Sequence, residues 1–192
     1  MNQRKGDFPL KRYTSLILLI SFILILTSLF VTGCFLSSVE PQPSPTENPT
    51  PSPSISPNAV NFTLPDLNGN SVSLSDYRGK PVLAVFFSYS CRFCRDQASI
   101  LEEIYQKYHG SKELEILGIG VSISNGEIAQ FKNSYGWTFQ ALNDNNREAY
   151  LQFFSFGVPA LIFIKRSGEL AIQKLGYLNM TELEQWLQAY IL

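Results

Sequence analysis

An α/β sandwich around a mixed sheet is the fold class this sequence predicts for the roughly 134 residues from Ala59 to Leu192. Three features carry that expectation. Short β-rich runs alternate with segments of helical periodicity. The run VLAVFFS at 82–88 is apolar throughout, as a central strand buried on both faces must be. The alternation closes on a strand pair and a last helix, which gives a sheet with antiparallel as well as parallel neighbours.

The elements follow in order. FTLPDLNGNSVSL holds Asn68-Gly69 between two short alternating segments, a strong hairpin signal. After the buried run, RDQASILEEIYQKYHG places Ala98, Leu101, Ile104, Tyr105 and Tyr108 on one helical face, with Gly110 as the predicted stop. ELEILGIGVSI (113–123) reads as the next strand, and a short helix over about 126–135 ends near Gly136. TFQAL suggests a brief strand and NREAYLQFF a short helix. Beyond Gly157-Val158-Pro159, ALIFI and ELAIQKL form a hairpin through Lys165-Arg166-Ser167-Gly168. Thr181 and Glu184 have capping-box spacing, which predicts a final helix to about Tyr190.

The N-terminus speaks to compartment. Arg4, Lys5, Lys11 and Arg12 precede SLILLISFILILTSLFVTG (15–33), an uncharged apolar run that ends at Cys34. Basic residues, an apolar core and small residues before a break describe a secretory signal. The run also approaches the roughly 18–20 residues that span a bilayer. Val31-Thr32-Gly33-Cys34 resembles a bacterial lipobox. The expectation is a lipoprotein signal over 1–33 and lipidation of Cys34, with an uncleaved membrane anchor as the alternative. Either way the remainder lies on the extracytoplasmic side of the cell membrane. Residues 34–58 then form a linker holding Pro41, Pro43, Pro45, Pro49, Pro51, Pro53 and Pro57, extended and without material for a core.

Without residues 1–33, 11 Lys plus Arg stand against 15 Asp plus Glu, a formal −4. A mildly acidic domain with no basic patch argues against nucleic-acid binding.

Cys91 and Cys94, in SYSCRFCRD, are the candidate chemistry. A structural zinc site takes four ligands, and beyond these two thiols the domain offers only His109, at the far end of the predicted helix. There the imidazole suits a helix C-terminus. Two thiolates could still hold Cu(I). A purely structural disulfide closes too small a loop to constrain much. A redox pair has a mechanism. The buried strand runs into the pair, which opens a helix, and Cys91 at that N-terminus meets unpaired N–H groups and the positive dipole end. These lower a thiol's pKa below its ordinary ~8.5 and make it a nucleophile, with Arg92 adding positive charge. Cys94, one turn further in, is the shielded thiol that resolves a mixed disulfide.

The stretch from about Phe62 to Gly176 resembles the thioredoxin-like, TlpA/ResA-type thiol–disulfide oxidoreductases of bacterial membranes, within the broader redoxin (AhpC/TSA) group. The matching segments are FTLPDLNGNSVSLSDYRGKPVLAVFF, then CRFC at a helix start, then FGVPALIFIKRSGEL. The resemblance implies a three-layer α/β/α sandwich with an N-terminal β-hairpin extension, and a redox disulfide between Cys91 and Cys94. It also implies a cis-proline at Pro159 and a backbone at Val158 that pairs with a substrate strand. It implies no cofactor, no resident metal and a monomer. The implied partners are exported protein disulfides or thiols and a membrane electron donor of the thiol-relay type. The chain departs from the family pattern at Ser90, where Trp is usual, at Gln97, where many members have Glu, and at Val85, the thioredoxin position for a buried acid. Asp96 is a poor substitute because it should face solvent.

The leading functional reading is therefore an extracytoplasmic thiol–disulfide oxidoreductase that reduces disulfides of exported proteins, an apocytochrome c haem-site disulfide being typical. Strong oxidants of this fold generally hold His between their cysteines, whereas this pair encloses Arg92-Phe93. A thiol peroxidase of the peroxiredoxin branch would need Thr or Ser three residues before the reactive cysteine and Pro seven before. Ser88 meets the first requirement and Ala84 fails the second. A copper chaperone or a partner-binding domain on the same fold is the third reading. It lacks the wider cysteine spacing and the later histidine of such proteins.

Overall fold

The structure is a computed structural model that describes residues 58–192. The expectations for 1–33, Cys34 and the linker as far as 57 lie outside the described residues.

Strands β1 (Thr63–Pro65) and β2 (Ser71–Ser73) form an antiparallel hairpin. Its turn is built by Asp66, whose Oδ1 accepts the N–H groups of Asn68 and Asn70, with Gly69 at φ 87° where a side chain would be strained. A 3₁₀ turn, Leu74–Tyr77, leads into the main sheet. That sheet contains β3 (Val82–Phe87), β4 (Glu115–Val121), β5 (Gln140–Asp144), β6 (Ala160–Ile164) and β7 (Leu170–Leu175) in the order β5-β4-β3-β6-β7. β3 pairs parallel with β4 and antiparallel with β6. The sheet is thus mixed, and the apolar run lies at its centre with all six residues buried.

Because successive strand residues face opposite sides, β3 feeds two cores. Leu83, Val85 and Phe87 meet helices α1 (Arg92–Lys112), α2 (Asn125–Ser134) and α3 (Met180–Tyr190) through Leu101, Ile104, Phe131, Leu183 and Leu187. Val82, Ala84 and Phe86 meet Phe62, Leu64, Leu74, Tyr150 and Phe154. The second covering layer is therefore the hairpin together with short 3₁₀ turns, while the three long helices share one face.

Three sequence-based boundaries move. NREAYLQFF yields only a 3₁₀ turn, Tyr150–Gln152. Arg147 stands at φ 64°, outside helical space, and Phe153 and Phe154 turn inward to Phe86. Gly110 does not end α1, which continues to Lys112 until Glu113 takes φ 59°. Arg166 secures that end by bonding the Lys112 carbonyl and the Glu113 carboxylate, both at 2.8 Å. The last helix is capped by Asn179 and Glu182 instead of Thr181 and Glu184. Asn179 Oδ1 accepts from the Glu182 N–H, and Glu182 Oε2 accepts from the Asn179 N–H. Asn caps as well as Ser or Thr does, and it stands two residues earlier.

Gly118 in β4 lies under Trp137, and a Cβ there would come within 2.6 Å of the indole. Trp137 in turn donates from Nε1 to the Ala98 carbonyl of α1 at 3.1 Å. Gly118→Ala should therefore cost about 1–3 kcal/mol by overpacking. Urea unfolding followed by tryptophan fluorescence measures this, and an unchanged midpoint would mean that the indole has room to shift.

Candidate active site

Beyond β3 the chain passes through Ser88–Ser90, and Cys91 takes the N-cap position of α1 with extended backbone angles. Its Sγ accepts the N–H of Cys94 at 3.1 Å. The two-residue spacer makes Cys94 the N3 residue, the one whose free N–H a cap side chain ordinarily satisfies. The Cys91 N–H donates to the Ser88 carbonyl at 3.2 Å, which fixes the cap against the strand end. Cys91 and Cys94 are joined as a disulfide with Cα atoms 5.2 Å apart. Cys91 is half-buried, and Cys94 is 1% exposed. No acidic residue occupies the first turn of α1, so nothing there offsets the positive end of the helix dipole.

The segment before β6 closes over this cap. The Val158–Pro159 peptide bond is cis, Pro159 is buried, and the Val158 carbonyl oxygen lies 3.4 Å from Cys91 Sγ. Two bonds hold the segment. Gly176 donates its N–H to the Pro159 carbonyl at 2.8 Å, and the Tyr150 hydroxyl donates to the Gly157 carbonyl at 2.7 Å. Burial pushes the Tyr150 phenol above its ordinary pKa, against the opposing charge of Arg147, so the hydroxyl keeps the proton it donates. Tyr150 is itself positioned by the buried Asp144 carboxylate, which accepts the N–H groups of Ala149 and Tyr150. Neither Tyr150 nor Asp144 was singled out from sequence. D-N-N-R-E-A-Y carries no recognisable signal beyond a polar residue ahead of a helical-looking run.

The remaining sequence candidates divide. Arg92 is the exposed first residue of α1, and Phe93 beside it is 60% exposed. Asp96 is exposed, and Val85 is buried among the helix-side core residues. Gln97, one turn after Cys94, is buried, and its Oε1 accepts the Leu178 N–H at 2.9 Å, tying α1 to the segment before α3. Its Nε2 has no hydrogen-bond partner among the described residues. A neutral amide thus stands where a carboxylate would have had to bury a charge. His109 lies at the opposite end of α1, its Nδ1 3.1 Å from the Leu114 carbonyl. Among the described residues no three His, Cys, Asp or Glu side chains gather into a metal-holding group. The arrangement is that of a dithiol–disulfide couple with one sulfur at a helix N-terminus and the other shielded.

Known proteins resemble the chain over this whole region. The AhpC/TSA family matches residues 55–172, a span that includes both cysteines and Pro159. Thiol-disulfide oxidoreductase ResA of Bacillus subtilis (strain 168) is 30% identical over 124 residues, covering 65% of this chain and 68% of the relative. ResA of Bacillus thuringiensis (strain Al Hakam) is 27% identical over 130 residues, covering 68% and 75%. Among solved structures, a secreted Mycobacterium tuberculosis disulfide oxidoreductase homologous to E. coli DsbE superposes with a TM-score of 0.60 at 22% identity, covering 67% of this chain and 95% of that one. The last comparison speaks for the fold, which is thioredoxin-like. With these matches and the disulfide at the start of α1, the chain belongs to the AhpC/TSA family, as a thiol–disulfide oxidoreductase of the ResA type.

Proposed function

We propose that this oxidoreductase reduces disulfides of exported proteins at the outer face of the cell membrane, with Cys91 as the nucleophile and Cys94 as the resolving thiol. The observation that carries these roles is the N–H of Cys94 donating to Cys91 Sγ while Cys94 itself is buried. In the reduced protein the same N–H and the helix dipole stabilise a thiolate on Cys91. Arg92 adds an exposed, salt-screened attraction. The Cys91 thiolate attacks one sulfur of the substrate disulfide. The substrate S–S bond breaks, a mixed disulfide forms, and the leaving sulfur takes up a proton. Cys94 then loses its proton and attacks Cys91 Sγ, releasing the second substrate thiol. Two electrons and two protons pass to the substrate, and the protein ends with the Cys91–Cys94 disulfide. A membrane dithiol carrier returns it to the reduced form.

The substrate strand pairs with the Val158 backbone, and Pro159 holds that backbone beside Cys91. The proton leaving Cys94 passes to water, since Val85 and Gln97 offer no acid. The reductase direction rests on Arg92-Phe93 between the cysteines, and a haem-site disulfide of apocytochrome c is a substrate of this class. The protein acts as a monomer, tethered through lipidated Cys34 and the proline-rich linker. Among the described residues no helix is long and apolar enough to cross a membrane, and the run 15–33 lies outside them.

Two experiments test this reading. Cys91→Ala should abolish reduction of insulin disulfides, whereas Cys94→Ala should accumulate mixed disulfides that non-reducing electrophoresis resolves. Trapping by Cys91→Ala instead would reverse the roles, and full activity in both variants would refute them. For the tether, Cys34→Ser should leave a precursor that takes up no labelled palmitate. Equal labelling of wild type and variant would exclude lipidation at Cys34.

A further inference from the structure

A cavity of about 210 Å³ opens beside the disulfide, lined by Ser88, Ser122, Arg147, Tyr150, Gly157 and Val158. Two of these residues touch the cap directly. Ser88 accepts the Cys91 N–H at 3.2 Å, and the Val158 carbonyl lies 3.4 Å from Cys91 Sγ. The cavity therefore shares a wall with the reactive sulfur. It is smaller than the roughly 300–1,000 Å³ of small-molecule pockets, a size suited to one side chain of a docked polypeptide.

Its wall mixes apolar surface from Val121 and Val158 with polar groups, and its formal charge is of one sign. Arg147 supplies the only formal charge in the lining. The guanidinium lies 5.3 Å over the Tyr150 ring and makes a long, 3.4 Å bond to the Ser155 carbonyl, and it pairs with no carboxylate among the described residues. The carboxylates nearest in sequence are engaged elsewhere. Asp144 holds the Ala149 and Tyr150 N–H groups, and Glu148 Oε1 takes the Asn146 amide. The backbone of the lining is also unusual. Ser122 stands at φ 54° and Arg147 at φ 64°, and both donate their N–H groups to the one carbonyl of Asp144. Left-handed backbone is disfavoured for residues with a Cβ and clusters at ligand sites. Asn145 and Asn146, which tolerate it better, stand just before Arg147, yet the arginine occupies the position.

We propose that this cavity is a subsite for an acidic side chain of the protein substrate, and that Arg147 is its specificity-determining residue. The proposal rests on Cys91 being the nucleophile. A substrate strand lying along Val158 advances about 3.3 Å per residue. The acid the cavity accepts therefore lies within about two residues of the attacked half-cystine. Asp or Glu there meets a planar guanidinium built for bidentate carboxylate binding, and Lys meets repulsion.

The test uses reduced protein and three peptides of one sequence, each with a single cysteine in mixed disulfide with 2-mercaptoethanol and flanked on both sides by Glu, Gln or Lys. Exchange rates are read at low and high salt, with neutral bis(2-hydroxyethyl) disulfide as a reporter of the thiol chemistry. The wild type should favour the Glu peptide over the Lys peptide by about tenfold at low salt and less at high salt. Arg147→Gly relieves the left-handed backbone and removes the cation, and it should bring the ratio near one. Arg147→Glu should invert it. Equal rates for the three peptides would overturn the subsite, as would a ratio that survives Arg147→Gly but disappears in Arg92→Ala. Failure of the wild type to react with the neutral disulfide would instead overturn Cys91 as the nucleophile.

Discussion

One hydrogen bond organises the rest of this protein, the Cys94 N–H donating to Cys91 Sγ at the head of α1. A helix leaves its first N–H groups without internal acceptors, and an N-cap side chain usually supplies one. Here the cap is a cysteine, so the group that satisfies the helix is also the proposed nucleophile. The bond requires sulfur at the cap position and a partner three residues on, and a first turn free of carboxylates leaves the positive helix end unopposed. The segment CRFCRDQ supplies all three.

The sheet brings the second half of the site to this cap. β3 and β6 are antiparallel neighbours with Phe86 opposite Ala160. The chain leaving β3 and the chain entering β6 therefore occupy the same end of the sheet, and Cys91 meets Val158 across 67 residues of sequence. The apolar run of β3 accordingly has two tasks. It joins the two cores through its alternating faces, and it delivers the cap to the end of the sheet where the 157–159 segment passes. The bonds from Tyr150 to Gly157 and from Gly176 to Pro159 hold that segment in register.

What was legible in the sequence is what short-range physics encodes. An all-apolar run, Asn-Gly between alternating segments, and two cysteines between a strand and a helix each carry their meaning within about ten residues. Helix ends were less legible. The stop at Lys112 depends on Arg166 reaching back from a distant turn, and the cap at Asn179 competed with a similar pattern two residues later. Least legible were the supports of the site. Gln97 bonds Leu178 across 81 residues, and Tyr150 acts through a turn whose periodicity suggested an ordinary helix. Arg147 carries no signal of its own in the sequence, and only the fold sets it in one cavity wall with Val158. These residues work through contacts that exist only once the sheet has formed.

The central claim is that the cap position makes Cys91 the more acidic of the two thiols without help from a buried acid. The most direct measurement is ultraviolet thiolate absorbance against pH on the reduced protein, repeated with Cys91→Ala and Cys94→Ala. The account predicts two separated steps, the first below the ordinary cysteine range and lost with Cys91, the second above it and belonging to buried Cys94. A single step at the ordinary value, or a first step that survives the loss of Cys91, would contradict it.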